Sequence, residues 1–145
     1  MKVKIRKTDP DVILPQYHTQ ESAGFDIAAS RDTVIKPGEV AKIPTGLVIE
    51  APKGHFLLIA ARSSLPSKKG LTMANGIGVV DPDYAGPNDE VHIIVHNFTQ
   101  APVEVKKGER LAQGIFLPVE QAVWEEVEKL RDDDRGGIGS TGGYQ

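Results

Sequence analysis

Residues 36–60 read Lys36-Pro37-Gly38-Glu39-Val40-Ala41-Lys42-Ile43-Pro44-Thr45-Gly46-Leu47-Val48-Ile49-Glu50-Ala51-Pro52-Lys53-Gly54-His55-Phe56-Leu57-Leu58-Ile59-Ala60. Three short apolar runs, Val40–Pro44, Leu47–Glu50 and His55–Ala60, are punctuated by Gly and Pro, as strands joined by tight turns are. Lys36-Pro37-Gly38-Glu39 and Ala51-Pro52-Lys53-Gly54 stand where such strands reverse, each with a Gly able to take positive φ. The rhythm extends outward from this stretch. It predicts strands over Lys2–Arg6, Gly24–Ala29 and Thr33–Ile35 upstream, and over Gly78–Val80, Val91–Asn97, Val103–Val105 and Leu111–Leu117 downstream. A third turn of the same kind is Lys106-Lys107-Gly108-Glu109. The pattern is that of an all-β antiparallel sandwich or barrel, with no internal repeat and no interdomain linker.

Composition agrees. The chain has 145 residues, of which 15 are Gly and 10 are Pro, a turn-rich usage that argues against a helical bundle. A chain of this size buries about two-thirds of its unfolded surface, enough for one domain with its own core. Its 17 basic and 20 acidic side chains leave a net charge of −3, so no global field draws it to nucleic acid or to an anionic membrane. Phosphate binding, if present, is local. The absence of Cys removes disulfides, thiolate metal sites and cysteine nucleophiles, and fits a reducing compartment. Met1-Lys2-Val3-Lys4-Ile5-Arg6 alternates charged and aliphatic residues instead of leading into a signal-length apolar run, and the expected location is the cytoplasm.

One segment resists the strand reading. Val119, Ala122, Val123, Val127 and Leu130 recur at helical spacings, yet Val123 and Val127 around Trp124-Glu125-Glu126 also suit a strand, so periodicity leaves it open.

Three stretches offer chemistry. Arg135-Gly136-Gly137-Ile138-Gly139-Ser140-Thr141-Gly142-Gly143 contains a formal G-x-G-x-x-G, but no strand precedes it and no helix can follow, so it fails as a dinucleotide fingerprint. It reads either as a floppy tail or as an arm whose backbone N–H groups, hydroxyls and guanidinium suit a polyphosphate. Ala61-Arg62-Ser63-Ser64-Leu65-Pro66 is a surface turn or a second phosphate-type constellation. In Asn75 through Gly86, Asp81 ends an apolar run and precedes Pro82, which restricts its backbone to extended space. It serves as a turn cap or as the directed carboxylate a general base needs. His92 and His96 share a strand face but lie about 13 Å apart, too far for one metal ion.

Together these stretches resemble the motifs of the trimeric all-β dUTPases. Ala23-Gly24-Phe25-Asp26-Ile27 resembles the first, Ala61–Leu65 the second, Asn75–Gly86 the third, Gly108-Glu109-Arg110-Leu111-Ala112-Gln113 the fourth and Arg135–Gly142 the fifth. The resemblance implies a jelly-roll-like β-barrel over residues 1–134 and a mobile Gly-rich C-terminal arm over residues 135–145. It implies a homotrimer with exchanged arms and sites shared between chains, and Ala122–Val127 as a strand leading to the arm. The implied reaction is Mg²⁺-dependent hydrolysis of dUTP to dUMP and diphosphate, with Asp81 as the base for water attacking the α-phosphorus. Arg62, Ser63, Ser64, Gln113 and Arg135 would hold phosphates. Asn75, Gly78 and the nearby backbone would read uracil, Tyr84 would lie under the deoxyribose, and Ile138, Gly139 and Ser140 would close over the nucleotide. Asp26 is either an indirect metal contact through water or a structural residue. Three departures from the family pattern are Ile138 in place of Phe, Ala85 without a long polar side chain, and an insertion at Pro87-Asn88-Asp89.

Two rivals share this barrel. A dCTP deaminase, alone or bifunctional with dUTPase activity, uses a Glu at the position of Ile94, whereas Glu90 lies on the wrong side of that strand. The other is a non-catalytic binding protein.

Overall fold

The computed structural model describes residues 1–137. Eleven strands follow one another: β1 (Lys4–Lys7), β2 (Phe25–Ala28), β3 (Thr33–Ile35), β4 (Val40–Pro44), β5 (Leu47–Glu50), β6 (His55–Ala61), β7 (Leu71–Met73), β8 (Gly78–Val80), β9 (His92–Asn97), β10 (Val103–Val105) and β11 (Arg110–Pro118). All pairings are antiparallel, in sheets ordered β1-β5, β10-β3, β2-β11-β6-β8 and β4-β9-β7. The result is an all-β, jelly-roll-like architecture in which β11 is the longest strand and lies between β2 and β6. Among the described residues no helix is long and apolar enough to cross a membrane.

Alternation sets the core. In β9, Ile93, Val95 and Asn97 point inward, while His92, Ile94 and His96 stand on the half-exposed face. Ile27, Ile35, Ile43, Leu57, Leu71 and Ile93 are fully buried, each burial favouring the folded chain by about 1.5–3 kcal/mol before conformational entropy is counted. Asn97 is buried with every polar atom used: Nδ2 donates to the carbonyls of Ile35 and Ala101, and Oδ1 accepts from the Thr99 N–H and hydroxyl. The expected turn glycines Gly38, Gly54 and Gly108 have φ of +73°, +76° and +83°. Gly114 answers a different need. A Cβ there would sit 2.5 Å from Cζ of Phe25, so β11 can pass the Phe25 ring only because it has none.

The differences from the sequence reading are local. β1 begins at Lys4 and runs to Lys7, two residues later than expected at its start, while β11 extends by one residue at each end. β7 and a π-helical turn over Leu65–Lys69 were not anticipated. The expected strand at Ala122–Val127 does not form: these residues are exposed and in no regular element. A strand needs an edge to complete its backbone hydrogen bonds, and this chain turns none of its own toward the segment.

Candidate active site

The cationic part of the site follows from the strand order. Asp26 lies between the inward-facing Phe25 and Ile27, so its carboxylate points out of the sheet, where it sits opposite Gln113 of β11. β11 also pairs with β6, whose end delivers Arg62 beside Arg110. The carboxylate of Asp26 receives both guanidiniums, Arg62 Nε on Oδ1 at 3.1 Å and Arg110 Nη1 on Oδ2 at 2.9 Å. Arg62 Nη1 also donates to the Arg110 carbonyl at 3.4 Å, and Gln113 Nε2 to the Ala61 carbonyl at 3.3 Å. Without Asp26 the two cations would repel, whereas with it they are held side by side and facing solvent.

A cavity of about 500 Å³ opens against this cluster, lined by Arg62, Ser64, Lys68, Lys69, Glu109 and Arg110 among others. Its basic side chains outnumber its acidic ones, which suits a phosphate chain. Ser64 starts the π-helical turn without spending its hydroxyl on a cap. Glu109 binds Lys69 and accepts the Lys106 N–H at 3.0 Å, tying the β10–β11 turn to that helical turn. Burial pushes the Glu109 carboxyl up, but Lys69 and the Lys106 N–H outweigh it and hold it below the ordinary glutamate value of 4.5. The exposed Asp32 carboxyl is also held low, first by the Lys107 N–H and then by Lys106.

The second part of the site is built by backbone. Gly76, at φ +70°, helps turn the chain from β7 in one sheet to β8 in another and leaves Asn75 exposed on that turn. Gly78 follows, and a Cβ there would lie 3.1 Å from that of Ile59, so close packing on β6 favours glycine. Asp81 leaves the end of β8, and its carbonyl accepts the Tyr84 N–H at 3.2 Å. Among the described residues nothing hydrogen-bonds the Asp81 carboxylate. It borders a cavity of about 910 Å³ with Lys53, Phe56, Val79 and Val119.

The expected residues therefore do not meet within one chain. Val80 pairs with Leu57 near the start of β6, while Arg62 follows its last residue, Ala61. At the rise of a strand, roughly 20 Å separates Asp81 from the Arg62–Asp26–Arg110 cluster. Arg62, Ser64, Gln113 and Asp26 lie together, with Ser63 exposed on the same turn. Asn75, Gly78, Asp81 and Tyr84 form the other group. Arg135 is exposed and in neither group, and Ile138, Gly139 and Ser140 lie outside the described residues. Lys68, Lys69, Glu109 and Arg110 were not foreseen as part of the groove, although the adjacent lysines beside a phosphate-type turn were a usable signal.

Fold and charge define an all-β protein with a cationic groove at one strand end and an unengaged carboxylate at the other. The sequence model of the dUTPase family matches residues 11–142. The deoxyuridine 5'-triphosphate nucleotidohydrolase of Nautilia profundicola is 44% identical over 144 residues, covering 98% of this chain and 99% of its own. The protein of the same name from Desulfitobacterium hafniense is 46% identical over 149 residues, covering 98% and 97%. The crystal structure of the dUTPase from Streptococcus mutans superposes with a TM-score of 0.78 at 32% identity, covering 86% of this chain and all of that one. The chain belongs to the dUTPase family.

Proposed function

We propose that this chain hydrolyses dUTP to dUMP and diphosphate at sites assembled between copies of itself. The observation that carries this is the pairing of a preorganised arginine groove with an Asp81 carboxylate that no described residue hydrogen-bonds. Asp81 takes a proton from water as its oxygen attacks the α-phosphorus, the bond from that phosphorus to the α,β-bridging oxygen breaks, and diphosphate leaves. Arg62, Ser63, Ser64 and Gln113 bind the phosphates, and donors near the bridging oxygen meet the charge that develops there. Arg135, Ile138, Gly139 and Ser140 belong to an arm over residues 135–145 that closes on the nucleotide. Asn75, Gly78 and the backbone of the β7–β8 turn read uracil, and the Tyr84 ring excludes a ribose 2'-hydroxyl.

The division of these groups supports a homotrimer in which Asp81 of one chain faces the arginine groove of another. Exposed apolar side chains point the same way. Val123 and Trp124, 95% and 91% exposed, need a partner to cover them. On this reading the enzyme works in the cytoplasm.

Magnesium fits this chain as an ion carried on the triphosphate. Among the described residues no group of three or more His, Asp or Glu side chains forms a cage, and Mg²⁺ prefers phosphate oxygens and waters with few protein ligands. Each oxygen of Asp26 already accepts an arginine N–H, and on this reading Asp26 would reach the ion through water. When bound, Mg²⁺ neutralises phosphate charge. Deamination is disfavoured because Ile94 stands where the acid is needed and the Glu90 carboxylate accepts the Gly46 N–H instead.

Incubating the protein with dUTP and Mg²⁺ should release diphosphate, and a chelator should suppress it. Ammonia release from dCTP would instead show a deaminase, and no product from either nucleotide would leave a binding protein.

A further inference from the structure

The connection from β8 to β9 carries Asp81 and Tyr84 and then the Pro87-Asn88-Asp89 insertion. The segment is closed internally by the Asp89 carboxylate, which accepts the Gly86 N–H at 2.7 Å, and Arg6 of β1 reaches its outer part, Nη2 donating to the Pro87 carbonyl at 2.6 Å. The next residue, Glu90, ties the loop to the barrel a second time, on the side nearer Tyr84 in the hydrogen-bond network. Its Oε1 accepts the Gly46 N–H at 2.7 Å across 44 positions of sequence. Its carbonyl faces the Tyr84 hydroxyl at 3.4 Å and His92 Nδ1 at 2.9 Å, and a carbonyl oxygen has a lone pair for each.

The turn that Glu90 grips is rigid. Gly46 has φ +70°, and a Cβ there would come within 2.3 Å of Val12 Cγ2, so the turn has one way to pack. Its neighbours hold Val91 from both sides, Thr45 Oγ1 donating to the Val91 carbonyl at 2.6 Å and the Val91 N–H to the Leu47 carbonyl at 2.8 Å. Tyr84 is 42% exposed, so packing alone does not fix its ring.

We infer that Glu90 is a positioning residue for sugar selectivity: its carboxylate latches the loop to the β4–β5 turn, and its carbonyl steadies the Tyr84 hydroxyl. The inference rests on the reading of Tyr84 as the residue that excludes the ribose hydroxyl. If the latch is lost, the ring moves away from the sugar and UTP gains access. Glutamine keeps an oxygen for the Gly46 N–H, so Glu90→Gln should retain the latch, whereas Glu90→Ala should not.

The test compares kcat/KM for dUTP and UTP in the full-length protein. Tyr84→Ala should lower the dUTP/UTP ratio the most. Glu90→Ala should lower it by about fivefold, chiefly through improved use of UTP, and Glu90→Gln should keep the original ratio. Adding Glu90→Ala to Tyr84→Ala should cause no further loss, because Glu90 acts through the ring. Tyr84→Phe, which leaves the Gly46 contact untouched, should lower the ratio in the same direction even if Glu90→Ala folds poorly. An unchanged ratio in Tyr84→Ala overturns the reading of Tyr84 and the inference with it. A lowered ratio there, with Tyr84→Phe unchanged or with Glu90→Ala folded and unchanged, overturns the Glu90 role alone. Additive losses in the double variant do the same.

Discussion

The two ends of β6 solve opposite problems. At one end Arg62 meets Asp26 and Arg110, and side-chain ion pairs hold cations in place before any substrate arrives. At the other, Asp81 is aimed by backbone alone, through the pairing of β8 with β6 and the proline that follows it. A binding groove gains from charges already oriented by a partner, because ordering them later would cost affinity. A base gains from the reverse, since a carboxylate already paired to a cation would be a poor proton acceptor. The contrast shows which groups the chain prepares and which it leaves open.

The largest effect should come from the unpaired end. Asp81→Asn should lower kcat by on the order of 10²-fold or more while dUTP still binds, as read by turnover and calorimetry. Near-normal turnover would remove Asp81 from the chemistry. Refolding inactive Asp81→Asn together with inactive Arg62→Ala then asks whether the two ends work across chains. Under cyclic symmetry about a quarter of sites should combine an intact Asp81 with an intact Arg62, and diphosphate release should recover accordingly. No recovery in confirmed mixed trimers would put both groups in one site of one chain. Asp26→Asn should act through binding, raising KM for dUTP roughly tenfold with a smaller change in kcat, because the paired arginines lose their charge-assisted anchor. A fall in kcat without a change in KM would show that Asp26 does more than hold arginines.

The smallest effect concerns Glu109. Its carboxyl titrates lower in the folded chain than in the unfolded one, so its contribution is fully present above the ordinary value of 4.5 and is lost as pH falls through the lowered folded value. Glu109→Gln should therefore cost about 0.2–1 kcal/mol near neutrality, and the gap in Tm should close on acidification. A gap that persists in acid would assign the loss to packing instead of charge.

Local punctuation made most strands legible, since Lys36–Glu39, Ala51–Gly54 and Lys106–Glu109 carry their turn chemistry within four residues. β7 was missed although Gly70 and Asn75-Gly76 bracket Leu71-Thr72-Met73: what makes it a strand is pairing with β9, which lies elsewhere in the sequence. The segment at Val119–Leu130 was ambiguous for a physical reason: periodicity reports an amphipathic face and not what covers it. As candidates, Asp81 and Arg62 were readable from residue type and setting, and Asp26 only through the resemblance to the family's first motif. That Asp26 binds both arginines was not readable, because it depends on β11 lying between β2 and β6, an order that no local rule supplies. The distance between Asp81 and Arg62 was hidden likewise, being a matter of which end of β6 each adjoins.

Gly114 bears on how this sequence can change over generations. Every coding change at that position adds a Cβ, and the Cβ meets the ring of Phe25 whatever the rest of the side chain is. Position 114 therefore accepts an alternative only after, or together with, a smaller residue at position 25. That smaller residue alone would open a cavity in the core. The two sites form one inherited unit with a valley between its workable states, and libraries that vary them singly should recover the parental pair.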